Sequence, residues 1–234
     1  MQVLKYETLE KILVDKPVDR VGYIADFCQD KIVLDLGCYD ETAVSKVGTE
    51  HWLHGRISDV AKIVMGVDAA DSIPENGLRA NNSSMIFKGN VLRLPEGIVE
   101  MYDYEVVVAG ELIEHLENPL SFLLMIKAKF PGKKMLLSTP NAVSVSNSLM
   151  GIVGREAQHK DHLAGFSYKI LNTLFMRAGY KAWVIRPYRF YATEMLLECK
   201  GTKKLFVLGV EKGIRFLEWL FPLLSFGYIA LIDI

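Results

Sequence analysis

"KIVLDLG", residues 31–37, is a short apolar run that ends in a glycine, a pattern typical of a buried strand followed by a tight turn. Four further runs share this apolar character: KIVMGVD (62–68), SMIFKGN (84–90), YEVVVAG (104–110) and KKMLLSTPN (133–141). Segments with helical periodicity separate most of them, over about 42–61, 73–81 and 111–130. Short apolar strands that alternate with helices predict parallel β-α-β units, in an α/β sheet with both faces covered.

Composition limits the classes of protein to which the chain can belong. Its 234 residues suit one domain with a small appendage. Lys plus Arg number 27 and Asp plus Glu 28, so a protein that grips nucleic acid by bulk charge is not expected. The three cysteines are scattered and lack metal-site spacing, which fits free thiols in a reducing compartment. The first residues carry charges and no apolar core of signal-peptide type, so we expect a cytoplasmic protein.

Segments outside the five strands complete the predicted organisation. Residues 1–30 are expected to form an N-terminal helical segment, with helices over 4–14 and 18–29, and residues 31–234 one α/β domain. A helix over 167–180 and a sixth strand over 181–190 follow later in the chain. Residues 142–166 are predicted either to close over a bound acceptor or to form a surface connection. Residues 203–234 are expected to be a helix followed by the last strand.

Polar residues follow the ends of the first three strands. Asp35, Gly37 and Cys38 end the first, Asp68 ends the second and Asn90 follows the third. In open parallel sheets, ligands bind beyond the carboxyl ends of the strands. An acid after the second strand can accept both hydroxyls of a ribose, and an amide after the third can bind a purine edge. Each of these residues alone could equally belong to a turn or cap a helix. Together they follow strands at one edge of the predicted sheet, which favours a site for a nucleotide-like ligand.

The chain at this point resembles a known family, the class I S-adenosylmethionine (SAM)-dependent methyltransferases. More narrowly, it is similar to the bacterial and archaeal branch that shares blocks with ubiquinone-pathway O-methyltransferases. The matching blocks are VLDLGC (33–38), VMGVDAAD (64–71), FKGNVLRLP (87–95), YEVVVAGELIEHLENPLSFL (104–123), MLLSTPN (135–141) and DHLAGFSYKILNTLFMRAGY (161–180). The resemblance implies a Rossmann-like, mostly parallel seven-stranded sheet in the order 3-2-1-4-5-7-6, with the last strand antiparallel.

The resemblance also implies which residues bind SAM. Asp35 and Gly37 would lie under its methionine part, Asp68 would bind the ribose, and Ala109 and Gly110 would line the floor beneath the sulfonium. The full set of implied cofactor-binding residues is Asp35, Gly37, Cys38, Tyr39, Asp68, Ala69, Asn90, Val91, Ala109, Gly110 and Glu111.

One departure from the family concerns the first loop. The family has three glycines at alternate positions, and this chain has Gly37, Tyr39 and Glu41. SAM has no phosphate to cradle, so binding can survive, with Tyr39 packed on the ligand. The departure also leaves open a SAM-binding or degenerate interaction protein without turnover.

The segment AGELIEHLENP (109–119) supplies candidates for the chemistry. On a helix beginning near Glu111, the side chains of Glu111, Glu114 and His115 would share one face. They could simply complement a helix N-terminus. Alternatively, His115 is a general base oriented by an acid. As a third alternative, Glu111, Glu114, His115 and His162 bind Mg²⁺, Mn²⁺ or Zn²⁺, as the resemblance implies for relatives with this pattern.

We therefore expect an enzyme that methylates oxygen of a small molecule, a sugar or a lipid-linked precursor. The main alternative is a metal-dependent RNA ribose 2′-O-methyltransferase, which the neutral charge disfavours. The apolar stretch over 216–232 is shorter than a membrane span and contains Glu218 and Pro222. It is expected to be buried, with a peripheral membrane contact through the C-terminal helix as the alternative.

Overall fold

The structure is a computed structural model that describes residues 9–39, 46–156 and 158–234. Within these residues, eight strands form a single sheet. The strands are β1 (Ile32–Leu36), β2 (Ile63–Asp68), β3 (Leu78–Asn81), β4 (Ser84–Lys88), β5 (Val106–Gly110), β6 (Lys134–Pro140), β7 (Ala182–Tyr188) and β8 (Gly227–Asp233). The helices are α1 (Arg20–Cys28), α2 (Leu53–Val60), α3 (Glu96–Val99), α4 (Pro119–Lys129), α5 (Val145–Ile152), α6 (Tyr168–Arg177), α7 (Thr193–Glu198) and α8 (Gly201–Leu220), with 3-10 turns at Ile113–His115 and Pro222–Leu224.

The strand order confirms the expected sheet. It runs β3-β4-β2-β1-β5-β6-β8-β7. Without the edge strand β3, this is the order 3-2-1-4-5-7-6. The strands from β4 to β6 pair in parallel, and β8 pairs antiparallel with both β6 and β7. The expected helix and strand of the tail correspond to α8 and β8.

Alternate residues of the central strands point to opposite faces, and each face has its own core. Val33 packs with Ile24 of α1 and Ile57 of α2 on one face. Leu34 packs with Phe122 of α4 and Phe175 of α6 on the other. Both faces of the sheet are therefore covered, and ligands can reach it only at its edges.

Two of the expected helices are not found in the described residues. Residues 9–14 are not helical, and residues 4–8 lie outside the described part of the chain. The following segment pairs instead with β7, because Val18 N donates to Pro187 O and Arg189 N donates to Val18 O, both at 3.0 Å. The predicted helix over 73–81 is also wrong. Gly77, with φ of +85°, turns the chain there so that β3 pairs antiparallel with β4.

The helix expected over 111–130 is shorter than predicted. Glu111 has φ of +53°, which an α-helix does not allow, and α4 begins only at Pro119. Asn118 caps α4 by accepting a hydrogen bond from Ser121 N at 3.0 Å. The pair Asn118-Pro119 is a sequence signal for a helix start, but the apolar periodicity before it favoured an earlier start. Of the helix expected over 42–61, residues 42–45 lie outside the described part of the chain, and α2 covers Leu53–Val60.

No helix in the described ranges is long and apolar enough to span a bilayer.

Candidate functional site

The carboxyl ends of β1 and β2 meet in a tight turn. Gly37 has φ of +67°, and a Cβ there would come within 2.7 Å of the Leu112 side chain, so the position requires glycine. The Asp68 carboxylate accepts hydrogen bonds from Tyr39 N at 2.8 Å and Ala70 N at 2.9 Å. These two bonds fix the carboxylate at the edge where a ribose was expected.

Asp35 lies behind this turn in a buried polar chain. Its Oδ2 is 2.8 Å from His54 Nδ1, and His54 Nε2 is 2.7 Å from Ser84 Oγ. All three side chains are buried. Because a carboxylate only accepts, His54 Nδ1 donates to Asp35. His54 is thus the hydrogen-bond partner of Asp35.

Cys38 and Tyr39 pack around Trp52 at the start of α2. Trp52 Nε1 donates to Cys38 O at 3.2 Å, and the Tyr39 ring meets the Trp52 ring edge-to-face at 6.3 Å. Burial raises the pKa of the Cys38 thiol, with a further contribution from the charge of Asp35, so the thiol stays protonated. Glu41, the third position of the altered loop, lies outside the described residues.

The residues expected near adenine lie on loops after β2 and β4. Ala69 and Asn90 are exposed, and Val91 is buried. Asn90 Oδ1 accepts from Leu92 N at 2.8 Å, which leaves its amide nitrogen facing outward from that turn. The arrangement is compatible with the expected purine-edge contact.

The end of β5 is closely covered by other elements. Ala109 is fully buried, and a Cβ on Gly110 would lie 2.6 Å from Leu53 Cδ2 and 3.5 Å from Arg20 Nη1. Glycine is therefore needed at 110 to admit α1 and α2 at the carboxyl end of β5.

Glu111 turns away from the following histidine. Its Oε1 accepts from Tyr188 Oη at 2.6 Å, and its Oε2 lies 3.6 Å from Arg20 Nη2. Burial and the Glu111 charge raise the pKa of Tyr188, so the phenol stays protonated and donates. Glu111 thus joins α1 to the end of β7.

Glu114 has a buried carboxyl group. Its side chain is 1% exposed, and neither Oε1 nor Oε2 makes a hydrogen bond of normal geometry among the described residues, although the buried Thr139 hydroxyl lies close to the carboxyl. Burial, followed by the nearby Glu111 charge, raises the pKa of Glu114 to about 8. The Glu114 carbonyl oxygen accepts from Leu163 N at 2.8 Å and Ala164 N at 3.2 Å, which holds the later loop against this turn.

Two histidines lie beside Glu114. Each of Glu114, His115 and His162 offers a ligand atom within 4.8 Å of the other two. The rings of His115 and His162 are 4.7 Å apart, and His159 lies 5.7 Å from His162. His162 Nδ1 is 3.1 Å from Gln158 Oε1, so Nδ1 donates and Nε2 keeps a lone pair. Burial and the neighbouring histidines lower the pKa of His162, which favours the neutral ring.

Of the four predicted metal ligands, three come together and Glu111 does not join them. The structure adds contacts that the sequence did not indicate, through Arg20, His54, Ser84 and Tyr188. Arg20 and Tyr188 are far from Glu111 in the sequence, and their contact depends on the order of β5, β6, β8 and β7. The HxxH spacing of His159 and His162 was a local signal for their proximity.

Asn141, directly after β6, is fully buried. Its Nδ2 donates to Leu223 O at 3.1 Å and Ser225 O at 2.9 Å, and its Oδ1 accepts from Val143 N at 3.1 Å. These bonds form an Asx turn that holds the β6 end to the loop before β8.

Comparison with known proteins gives one family. The model of a family described as a methyltransferase domain matches residues 12–184. No protein with a curated description matches the sequence.

Solved structures agree on the fold. A SAM-dependent methyltransferase from Archaeoglobus fulgidus is 14% identical, with a TM-score of 0.51 over 91% of this chain and 90% of that one. The methyltransferase domain of a bacterial Hen1 (CtHen1-C) is 17% identical, with a TM-score of 0.54 over 92% and 97%. Magnesium protoporphyrin IX methyltransferase from Synechocystis PCC 6803, solved with bound S-adenosylhomocysteine (SAH), is 10% identical, with a TM-score of 0.52 over 92% and 82%.

Proposed function

This chain belongs to the methyltransferase-domain family, and on that premise we propose that it transfers the SAM methyl group to oxygen of its acceptor. The family and the fold support SAM-dependent methyl transfer. The choice of oxygen rests on one observation, the convergence of Glu114, His115 and His162 directly after β5. A hydroxyl acceptor must lose a proton as it attacks the methyl group, and this convergence offers groups that can accept it.

The proposed roles follow from the environment of each side chain. The lone pair on His162 Nε2 and the partly exposed ring of His115 are the candidate proton acceptors. Glu114 has a carboxyl oxygen within 4.8 Å of a His115 ring nitrogen, and its raised pKa keeps the carboxyl protonated near neutral pH, so it would orient that ring by donating a hydrogen bond. The set Asp35, Gly37, Cys38, Tyr39, Asp68, Ala69, Asn90, Val91, Ala109, Gly110 and Glu111 would form the SAM side of the site. The sulfonium itself activates the methyl group, so the protein mainly aligns the reactants and excludes water.

Calorimetric titration with SAM and with SAH tests the proposal at its base. We expect the wild type to bind both, and Asp68→Ala to bind them roughly 10- to 100-fold more weakly through loss of hydrogen bonds to a charged group. The matched control is Asp71→Ala, because Asp71 is almost fully exposed and pairs only with Lys88 in the described structure. If the wild type binds neither SAM nor SAH, the proposal that the chain is a SAM-dependent enzyme is wrong, and a non-catalytic interaction protein is favoured.

The acceptor class is tested by incubating fractionated cell extract with methyl-labelled SAM. Label in an O-methyl group of a small-molecule, glycan or lipid fraction supports the proposal. Label only on nitrogen or carbon, identified by mass spectrometry, contradicts it.

A second candidate uses a divalent cation at the same place. The buried Glu114 carboxyl makes no hydrogen bond of normal geometry among the described residues and lies beside two imidazoles, and this donor set fits Mg²⁺, Mn²⁺ or Zn²⁺. Glu114, His115 and His162 would hold the ion, which when bound would polarise the acceptor oxygen. Such a site would suit an RNA ribose hydroxyl as acceptor, although the net charge of −1 does not favour RNA.

Metal binding can be measured without turnover. Mn²⁺ binding, followed by electron paramagnetic resonance of the free ion, should be lost in His162→Ala and retained in the control His51→Ala, whose ring lies at the start of α2. If the wild type leaves all Mn²⁺ free and calorimetry detects no Mg²⁺ or Zn²⁺ binding, the metal is excluded and proton transfer by histidine remains.

A further inference from the structure

Helix α8 has its acidic residues inside and its large apolar residues outside. Its buried side chains are Glu211, Ile214 and Glu218. Its exposed side chains include Leu205, Phe206, Val210, Phe216, Trp219 and Leu220. This is the reverse of an ordinary surface helix of a globular protein.

The buried acids explain how α8 is held. Glu218 Oε2 accepts from Phe190 N at 2.9 Å, and Glu211 Oε2 accepts from Ala192 N at 3.2 Å. Arg215 pairs with Glu211 and donates through Nε to Phe190 O at 2.9 Å. The polar face of α8 thus binds the backbone after β7, and this attachment turns the apolar face toward solvent.

The exposed face is continuous and rich in aromatic residues. Leu205, Phe216 and Leu220, at spacings of eleven and four, lie on one side of the helix. Phe206 is 73% exposed and Phe216 60%, and the Phe216 ring stacks on Trp219. A monomeric protein in water rarely exposes a contiguous apolar patch of this kind without a binding role.

The exposed charges that α8 itself carries are all positive, and the exposed acid Glu198 lies before it at the end of α7. Lys200, Lys203, Lys204 and Lys212 are exposed and take part in no ion pair among the described residues, and both acids of α8 face inward. Lys16 adds a cation 4.2 Å from the centre of the Trp219 ring. Exposed lysines around Phe, Leu and Trp are the composition of helices that lie in the interface of an anionic bilayer.

From these features we propose that α8 docks on an anionic lipid surface, with Phe206, Phe216 and Trp219 inserted at the level of the head groups. The charge favours lipid over a second copy of the chain. A twofold interface formed by this face would bring its unpaired lysines against each other, and like charges across an interface disfavour association. Lipid phosphates supply the opposite charge.

The docked orientation has a consequence for the site, which rests on the proposed function. Helix α5 follows the carboxyl end of β6, packs against α8 and exposes Ile152 near its end. Docking through α8 therefore brings this part of the domain close to the bilayer. Among the proposed acceptors, this docked orientation favours an acceptor that is carried on a lipid.

Vesicle co-flotation of the full chain tests the docking, independently of methyl transfer. We expect binding to vesicles of phosphatidylcholine with phosphatidylglycerol, and at least about tenfold weaker binding to phosphatidylcholine alone or in high salt. Phe216→Ser with Trp219→Ser should weaken binding by roughly tenfold or more. Each substitution removes an aromatic ring whose apolar surface would be buried in the bilayer. The control Leu124→Ser, at an exposed site on α4, should bind like the wild type.

Lys203→Glu with Lys204→Glu should weaken binding to the anionic vesicles, and Lys62→Glu with Lys129→Glu should change it far less. Equal partition of all variants onto both vesicle types would overturn the proposal. So would a stable dimer in sedimentation that Phe216→Ser with Trp219→Ser dissociates, because α8 would then be a protein interface. SAM binding by calorimetry, which does not need α8, separates a failure of docking from a failure of the proposed function.

Discussion

Two groups of acidic and histidine side chains lie beside the central strands, and they differ in how fully their hydrogen-bonding groups are satisfied. In the first, Asp35, His54 and Ser84 are buried and hydrogen-bonded in a chain. In the second, the Glu114 carboxyl is buried without a hydrogen bond of normal geometry in the described structure, beside the partly exposed rings of His115 and His162. Buried polar groups that satisfy one another stabilise a fold, whereas an unsatisfied group at an accessible edge can bind something. The difference indicates that His54 and Ser84 have a structural role, in holding Asp35 at the SAM side of the proposed site, and that the second group has a chemical role.

The largest expected effect concerns the second group and tests its chemical role. His162→Ala should lower methyl transfer by about 10²- to 10⁴-fold, the range for loss of an acid–base group. SAM affinity and the free energy of unfolding should stay nearly the same, because the ring is partly exposed. The rate with the identified acceptor, calorimetry and urea unfolding measure the three quantities. His51→Ala is the matched control. If His162→Ala lowers the free energy of unfolding as much as it raises the barrier to methyl transfer, the second group also has a structural role.

The next effect concerns the first group and should appear in stability. His54→Ala removes the partner of Asp35 and leaves a buried carboxylate uncompensated, which typically costs about 3–5 kcal/mol. Urea unfolding measures this loss. The double variant Asp35→Asn with His54→Ala should recover part of it, because the amide carries no charge. A stable His54→Ala protein that fails only to bind SAM would instead assign the first group to the ligand.

The pH dependence of stability separates the two groups further. The pKa of Glu114 is raised to about 8 in the folded protein, above its ordinary value of 4.5. Between these values, only the unfolded chain has lost the proton, so folding becomes less favourable as pH rises. With a chelator present, the free energy of unfolding should fall by up to about 1.4 kcal/mol per pH unit between pH 5 and 8 from this group.

Glu114→Gln should flatten this dependence, and urea unfolding across the pH range measures it. A cation bound by Glu114 favours the ionised form, so added Mn²⁺ or Zn²⁺ should flatten it too if the second candidate holds. An unchanged slope in Glu114→Gln would contradict the assigned burial effect.

The two groups also differ in how far the sequence predicted them. The strand-end positions of Asp35, Gly37, Asp68 and Gly110 were predictable, because apolar runs and their glycines report on local structure. The order of the sheet followed from the family resemblance. The nearness of Glu114, His115 and His162 followed from the family resemblance. The apolar periodicity predicted that these residues lie on a helix beginning near Glu111. That prediction is wrong, since Glu111 has a positive φ and α4 begins at Pro119.

The first group could not be predicted from spacing. Asp35, His54 and Ser84 lie on β1, α2 and β4, and only the parallel pairing of β1, β2 and β4 brings them together. A histidine on an apolar helix face carries no local sign of its partner. The sequence indicated the exposed apolar face of α8 only as the alternative to a buried stretch, because an apolar stretch is ordinarily expected to be buried. Phe216, Trp219 and Leu220 are exposed instead. Only the contacts of Glu211 and Glu218 reveal which side faces inward.

The smallest expected effect sharpens the account of the first group. Ser84→Ala removes one hydrogen bond from His54 Nε2 and leaves the contact with Asp35 in place, so we expect a loss of about 1 kcal/mol. Ser83→Ala is the control, because the Ser83 hydroxyl bonds only to Ser58 O and Asn81 Oδ1 among the described residues. Urea unfolding of Ser84→Ala and of Ser84→Ala with His54→Ala should give non-additive losses, since both changes remove the same bond. Strict additivity would mean that Ser84 stabilises the fold without His54, and that the polar chain ends at the Asp35–His54 pair.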